Sequence, residues 1–246
     1  MPRVIVGIWN CVAAPDWFDS SMDVRLGRLY AAIQAVDVEG RLRGDTGLHG
    51  VHAILVAPEY AFSDPHAPAD QTKPAIQTTA ARLGDLRTKL IDATTSNRST
   101  LVVAGTIAHV DAQQDARNTS LVAHAGVIVS QHDKCVPVGE VQADDGMTFQ
   151  PGTGFGRFSL DHLWYGVEIC ADATGVGHLG IAVDVHIVVG QGVGVQTIVN
   201  QATRYLIVAD IAAYGVYDAT AALQKQKAYK RETLLTCPIE YYRITL

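Results

Sequence analysis

The chain contains short segments that are apolar throughout, without the polar alternation of a strand that faces water on one side. Examples are VIVGIW at residues 4–9, AILVA at 53–57 and LVVAGTIA at 101–108. Strands buried on both faces occur where a sheet is covered on both sides, by helices or by a second sheet. This property restricts the possible folds more than any other feature of the sequence, and it favours an α/β architecture.

Segments with helical periodicity lie between these strands. Residues 22–36 and residues 75–93 place apolar side chains about every third or fourth position. In the middle of the chain, NTSLVAHAGVIVSQ at 118–131 predicts a β-hairpin that turns at its Ala-Gly pair. The 246 residues contain no internal repeat and no linker, so we expect one α/β domain over residues 1–246, with mixed sheets and helices outside.

The C-terminal half is less regular in its pattern. GRFSL and LWYGVEIC predict two strands, and VDVHIVVG predicts a third. VQTIVNQATRYL, residues 195–206, predicts a helix. ETLLTCPIEY, residues 232–241, predicts a late edge strand.

Composition restricts the cellular compartment and the binding partners that can be expected. Hydrophobic residues make up 48% of the chain and the net charge is −6, so a large core can form and neither nucleic acid nor an anionic membrane surface is expected as a partner. No apolar run approaches the roughly 20 residues that cross a bilayer. The four cysteines are far apart and show no C-x-x-C spacing, which argues against a disulfide framework. We therefore expect a cytoplasmic protein.

Three reactive or charged residues each follow a predicted strand: Glu59 in APEY, Lys134 in HDKC and Cys170 in GVEICAD. Separately, they have ordinary explanations as a solvated carboxylate, a surface lysine and a buried, inert thiol. Together they are the parts of a cysteine hydrolase that uses no histidine. A thiol attacks the substrate, a carboxylate takes its proton, and an ammonium stabilises the oxyanion.

The ordered set APEY, HDKCVPVGE and GVEICAD resembles the nitrilase superfamily, the carbon–nitrogen hydrolases. The flanking segments NTSLVAHAGVIVSQHDK, FQPGTGFGRFSL and RETLLTCPIEY are similar to this family as well, so the likeness covers nearly the whole chain. The resemblance implies a four-layer α-β-β-α sandwich, with two mixed β-sheets and helices outside. It also implies a homodimer or a larger homo-oligomer.

The resemblance implies roles for particular residues. Glu59 would be the general base, Lys134 the oxyanion stabiliser and Cys170 the nucleophile. Glu140 would orient Lys134 or the substrate, or would be a solvated loop residue.

Two residues beside these are expected to contact the substrate. The backbone N–H of Ala171 would be a second oxyanion donor, and Tyr60 would bind substrate next to the base. Nitrile hydrolases commonly have an aromatic residue after the nucleophile, so alanine at this position favours amides over nitriles.

Other patterns point to no cofactor. GVGHLG at 175–180 matches G-x-G-x-x-G, but a β-like segment follows it where a dinucleotide-binding unit needs a long helix. The nine histidines form no convincing ligand pair, His132 and His52 are expected at the surface or in packing, and we predict no catalytic metal. Cys135 adjoins Lys134, and in an extended segment its side chain would point away from the site.

The sequence therefore predicts a thiol hydrolase that cleaves a non-peptide C–N bond of a small amide or carbamoyl compound without a cofactor. One alternative is acyl transfer to an amine by the same fold. Another is a binding module that keeps the fold without catalysis.

Overall fold

A computed structural model shows two β-sheets packed face to face, with two α-helices on one of them. The structure describes residues 2–45, 50–63, 80–113, 115–138, 148–154, 156–174, 180–211 and 213–246.

The first sheet has seven strands in the order β12-β13-β1-β2-β3-β4-β5. Strands β1, β2 and β3 are parallel to one another, and the remaining neighbours are antiparallel. The seven strands are β1 (Arg3–Trp9), β2 (Ala53–Val56), β3 (Thr100–Val110), β4 (Ala116–His124), β5 (Val127–Asp133), β12 (Lys230–Leu234) and β13 (Cys237–Thr245).

The second sheet has six strands in the order β11-β10-β9-β8-β7-β6, and β7, β8 and β9 are parallel. Both sheets are mixed, as predicted. The six strands are β6 (Arg157–Leu160), β7 (Leu163–Ile169), β8 (Val183–Gly190), β9 (Ala202–Asp210), β10 (Gly215–Asp218) and β11 (Gln224–Lys225).

The alternation of side chains along β1 explains why this strand is apolar on both faces. Val4, Val6 and Ile8 belong to the core between the two sheets. Ile5 and Trp9 belong to a separate core between the first sheet and the helices. Each face of the strand therefore meets apolar cover, and the prediction of doubly buried strands is confirmed.

The helices α1 (Met22–Arg43) and α2 (Ala80–Ser96) both pack on the first sheet. The Ser21 side chain caps α1 by accepting a hydrogen bond from the Val24 N–H. Leu29, Ile33 and Val36 of α1 enter the core beneath it. Neither described helix contains a stretch apolar enough, over a sufficient length, to cross a membrane.

The outer face of the second sheet is covered differently in the described residues. Apolar side chains from the short connections before β8 and β9, including Ala173, Val193 and Ile198, pack against Val188 and Leu206. The two-sheet sandwich is therefore confirmed, while both described α-helices lie on the first sheet only.

Two local predictions were wrong. Within residues 195–206, a single 3-10 turn at Val195–Thr197 is followed by β9. Pairing with β8 stabilises the later residues as a strand more than their weak helical pattern stabilises a helix. Residues 232–241 were expected to form one edge strand but lie in a hairpin. Residues 232–234 belong to β12 at the edge of the sheet, whereas residues 237–241 belong to β13, which runs between β12 and β1. The turn residues of this hairpin, Leu235 and Thr236, have φ of 47° and 73°, without the glycine or asparagine that usually indicates such a turn.

Candidate active site

Glu59 lies just beyond the end of β2, in a segment held against a bulge in β3. The Ala57 N–H donates to the Val103 carbonyl at 3.0 Å, which extends the pairing of β2 with β3 by one residue. The register of β3 then shifts between Val103 and Thr106, and Gly105 adopts φ of 76° there. A Cβ at Gly105 would lie 2.1 Å from the Pro58 carbonyl oxygen, so the close approach of the two segments requires glycine.

Lys134 directly follows β5, and its backbone is fixed on both sides. Its N–H donates to the Asn118 carbonyl at 2.8 Å, and its own carbonyl accepts from the Gly152 N–H at 2.9 Å. Its side chain runs to the Glu59 carboxylate, where Nζ lies 3.0 Å from Oε1. Both side chains are only 1% exposed, so this is a buried ion pair.

Asn118 of β4 is the third group at this carboxylate. Its side-chain Nδ2 donates to the same Glu59 oxygen, Oε1, at 2.9 Å, and the residue is fully buried. A carboxylate oxygen that accepts from an ammonium and an amide is held in one orientation. Asn118 begins the segment NTSLVAHAGVIVSQHDK, which is similar to the nitrilase superfamily, but no local pattern indicates its contact with the carboxylate.

Cys170 is the first residue after β7 and opens a 3-10 turn, Cys170–Ala173. Its φ is 50°, a left-handed conformation that a residue other than glycine seldom adopts. Such outliers cluster at functional sites, where the surrounding structure holds them in place. The turn redirects the chain at the end of the strand, and the thiol is half-buried.

The thiol lies within the electrostatic field of the Glu59–Lys134 pair. The pKa of Cys170 is raised to about 12, first by burial and then by the Glu59 carboxylate, with which the thiol also shares a hydrogen bond. The Lys134 ammonium and a hydrogen bond with the Gln191 backbone lower this pKa in part. At neutral pH the group is therefore a neutral thiol beside a carboxylate, rather than a preformed thiolate.

Asp172 ties the segment of Lys134 to the turn of Cys170. Its fully buried carboxylate accepts from the backbone N–H groups of Cys135 and Val136 at 3.0 and 2.7 Å. Asp172 Oδ2 lies 3.1 Å from Nε2 of His132, which precedes Lys134 by two residues in the chain. One side chain thus holds the end of β5 against the turn that begins with Cys170.

The structure thus brings together three of the predicted residues, Glu59, Lys134 and Cys170. Of the others, Ala171 lies in the turn next to the thiol. Tyr60 has φ of 59° and is 9% exposed, and it packs in a small apolar cluster with Ala108 and Ala116. Glu140 lies outside the described residues.

The remaining thiols have different surroundings. Cys11 and Cys237 are buried in the core beneath the helices. Cys135 is half-buried, and its Sγ lies 3.7 Å from the Asp133 carbonyl oxygen. Most of the glycine pattern at 175–180 lies outside the described residues. Among the described residues, one group of three side chains could hold a metal ion: His132, Cys135 and Asp172.

Solved structures with this fold include cysteine amidases. A glutamate-to-glutamine variant of the amidase from Nesterenkonia sp. AN1, with the acetamide moiety of fluoroacetamide covalently added at its active-site cysteine, matches with a TM-score of 0.64 at 13% identity, over 98% of this chain and 90% of that chain. Saccharomyces cerevisiae Nit3, a member of branch 10 of the nitrilase superfamily, matches with a TM-score of 0.58 at 16% identity, over 98% and 89%.

Comparison of the sequence itself gives no match, either to a protein-family model or to a curated protein. The relationship is therefore visible in the arrangement of the strands and helices rather than in overall identity. It extends over almost the full length of both chains. The chain has the fold of the nitrilase superfamily.

Proposed function

We propose that this protein is a thiol hydrolase that cleaves the C–N bond of a small amide or carbamoyl compound. The observation that supports it most is the buried Lys134–Glu59 pair, 3.0 Å between Nζ and Oε1, beside the Cys170 thiol. Burying two charges is costly, and a site that needs a base and a cation next to a nucleophile gives a functional reason for doing so.

The first half of the reaction forms a thioester. Glu59 accepts the thiol proton as Cys170 Sγ attacks the carbonyl carbon, so the thiolate exists only as the S–C bond forms. The oxygen of the tetrahedral intermediate takes its negative charge beside the Lys134 ammonium, with the Ala171 N–H as a second donor. Glu59 then returns the proton to the nitrogen, the C–N bond breaks, and ammonia or an amine leaves.

The second half releases the acid. Glu59, again a carboxylate, removes a proton from water as the water oxygen attacks the thioester carbon. The C–S bond breaks, Glu59 passes the proton taken from water to the Cys170 sulfur and is a carboxylate again, and the acid product carries the water oxygen. Asn118 holds the carboxylate in the same orientation through both halves.

The Nesterenkonia relative supports the choice of an amide substrate, because that protein is an amidase with a reactive active-site cysteine. Alanine at position 171 also favours amides over nitriles.

The test is an assay of hydrolysis on a panel of aliphatic amides and carbamoyl compounds, in which the release of ammonia is measured. Wild-type protein is expected to turn over at least one of them, and Cys170→Ala to turn over none while keeping its circular dichroism spectrum. Cys237→Ala removes a buried thiol elsewhere and is expected to stay active. Activity that survives in Cys170→Ala would refute the proposal.

The same assay separates hydrolysis from acyl transfer. Added hydroxylamine intercepts a thioester, and the ratio of hydroxamate to acid measures how well an amine competes with water. Product formed only when an amine is present would support the acyltransferase alternative. A folded protein that is inert towards every compound and every amine would support the binding module.

A further inference from the structure

A second cluster of reactive side chains lies behind the proposed catalytic residues. His132, near the end of β5, Cys135 and Asp172 each offer one ligand atom, and these three atoms lie within 4.8 Å of one another. His132 and Asp172 are buried, and Cys135 is half-buried. The proposed hydrolysis uses none of the three side chains as a reacting group.

The Asp172 carboxylate is already oriented in the way that metal-binding carboxylates are. The Val136 and Cys135 N–H groups donate to its Oδ1 at 2.7 and 3.0 Å. The Cys135 N–H is shared with Oδ2, which also lies 3.1 Å from His132 Nε2. Backbone hydrogen bonds to one carboxylate oxygen fix the other for a ligand, as outer-shell partners do in metal sites.

Carbonyl oxygens and carboxylates make the surroundings of the Cys135 sulfur electrostatically negative. This Sγ lies 3.7 Å from the Asp133 carbonyl oxygen and 3.9 Å from the Gly154 carbonyl oxygen. The carboxylates of Asp172, Asp133 and Glu168 place negative charge around this thiol. Negative charge around the sulfur favours a bound cation at this position.

We propose that His132, Cys135 and Asp172 bind a thiophilic divalent cation of the Zn²⁺ class. An imidazole nitrogen, a thiolate and a carboxylate oxygen are the ligand types that Zn²⁺ prefers, at about 2.0 to 2.3 Å. The Nε2–Oδ2 separation of 3.1 Å already suits two ligands of one such ion. Sγ has to approach by about 1 Å to complete the set.

Binding of the ion requires a proton to move on His132 and a proton to leave Cys135. The imidazole binds in its neutral form through the Nε2 lone pair, so its proton moves to Nδ1. The Cys135 thiol releases its proton to solvent as the S–metal bond forms. Because Cys135 is half-buried, water can reach the fourth coordination position.

The site also predicts an effect on stability. The ion would join the end of β5 to the turn that follows β7, so binding is expected to raise the thermal unfolding temperature by mass action. Mg²⁺ prefers six oxygen ligands and is expected to have no such effect.

Cobalt titration tests the proposal, because Co²⁺ occupies zinc sites and a thiolate ligand gives it a near-ultraviolet charge-transfer band. We expect the band to saturate at one equivalent in wild-type protein and in Cys170→Ser, and to be absent in Cys135→Ser. His132→Ala is expected to weaken binding by about 100-fold or more, beyond the usual loss for an outer-shell partner. A band retained in Cys135→Ser, or lost in Cys170→Ser, would place the ion on the other thiol and overturn the proposal.

A second measurement needs no substitution and so does not depend on how a variant folds. Zn²⁺ is expected to protect Cys135 of wild-type protein from iodoacetamide, as followed by peptide mapping, while Mg²⁺ does not. Alkylation of Cys135 at an unchanged rate under stoichiometric Zn²⁺ would contradict the site.

Discussion

The buried Glu59–Lys134 pair predicts a large and specific loss of stability when only one partner is removed. Lys134→Met deletes the ammonium but keeps an unbranched side chain of similar length. The Glu59 carboxylate would then remain 1% exposed, with the Asn118 amide as its remaining partner of the two hydrogen-bond donors described above. Loss of the counter-ion removes the electrostatic interaction that offset most of the lost hydration of this buried charge.

The magnitude follows from the geometry. Two unit charges 3.0 Å apart attract each other by about 5.5 kcal/mol at an effective dielectric constant of about 20. Removal of one partner of a buried ion pair costs about 3–5 kcal/mol in measured cases. We therefore expect Lys134→Met to lower the free energy of unfolding by about 3–5 kcal/mol, a large share of the total for a protein of this size.

The assay is equilibrium unfolding in urea, followed by circular dichroism, for a double-mutant cycle. Glu59→Gln alone should also destabilise the fold, since it removes the carboxylate that pairs with the buried Lys134 ammonium. The double variant Glu59→Gln/Lys134→Met buries no charge, so its loss should fall short of the summed single losses by about 2 kcal/mol or more. Lys227→Met, at an exposed lysine, is the control and should change stability by less than about 0.5 kcal/mol.

Two results would contradict a strong, buried interaction between Glu59 and Lys134. A loss below about 1 kcal/mol in Lys134→Met would show that the carboxylate finds water or another partner, so that the pair is not sealed in the fold. Additive losses in the cycle would show that the two groups do not interact.

Three further predictions concern neighbouring residues. Asn118→Ala removes a charge-assisted hydrogen bond and should cost about 1.5–3 kcal/mol in urea unfolding and lower kcat/KM on any substrate found; equal kinetics would contradict its positioning role. Gly105→Ala would place a Cβ 2.1 Å from the Pro58 carbonyl oxygen and should strongly destabilise the fold. The control Gly84→Ala, at a helical position with open space, should stabilise it by up to about 1 kcal/mol. A Gly105→Ala variant that unfolds at the same temperature as Gly84→Ala, or higher, would contradict the close approach. Because the pKa of Cys170 is raised to about 12, the difference in thiolate absorbance between wild-type protein and Cys170→Ser should be absent at pH 8 and appear only above about pH 11; a thiolate signal at pH 8 would contradict the neutral resting thiol.

Sequence patterns predicted the parts of the fold in which local and global signals agree. Strands β1 and β3 were predicted because both of their faces are apolar. The hairpin of β4 and β5 was predicted from its Ala125-Gly126 turn, where both residues have positive φ. The positions of Glu59 and Lys134 directly after strands were also predicted. Strands β2 and β5 are separated by β3 and β4 but run in the same direction, so both residues lie at the same end of the first sheet.

Other features depend on contacts that no local pattern records. Residues 202–206 pair with β8, and that pairing overrides the helical spacing of apolar residues over 195–206. The position of Asn118 at the carboxylate depends on the shifted register between β3 and β4. The contacts of Asp172 to Cys135 and Val136 join segments from different sheets, so the C-x-D spacing alone could not predict them.

Activation of the Cys170 thiol by Glu59 can be tested without knowledge of the substrate, through alkylation by iodoacetamide near neutral pH. Peptide mapping gives the rate for each cysteine separately. We expect Cys170 to react fastest, despite its raised pKa, because Glu59 takes the thiol proton as the new bond to sulfur forms. Glu59→Gln also removes a charge that raises this pKa, so reaction through a preformed thiolate would be faster in the variant, whereas loss of the general base should lower the rate by about 100-fold or more. A Cys170 rate no faster than that of Cys135, or one unchanged in Glu59→Gln, would contradict the account.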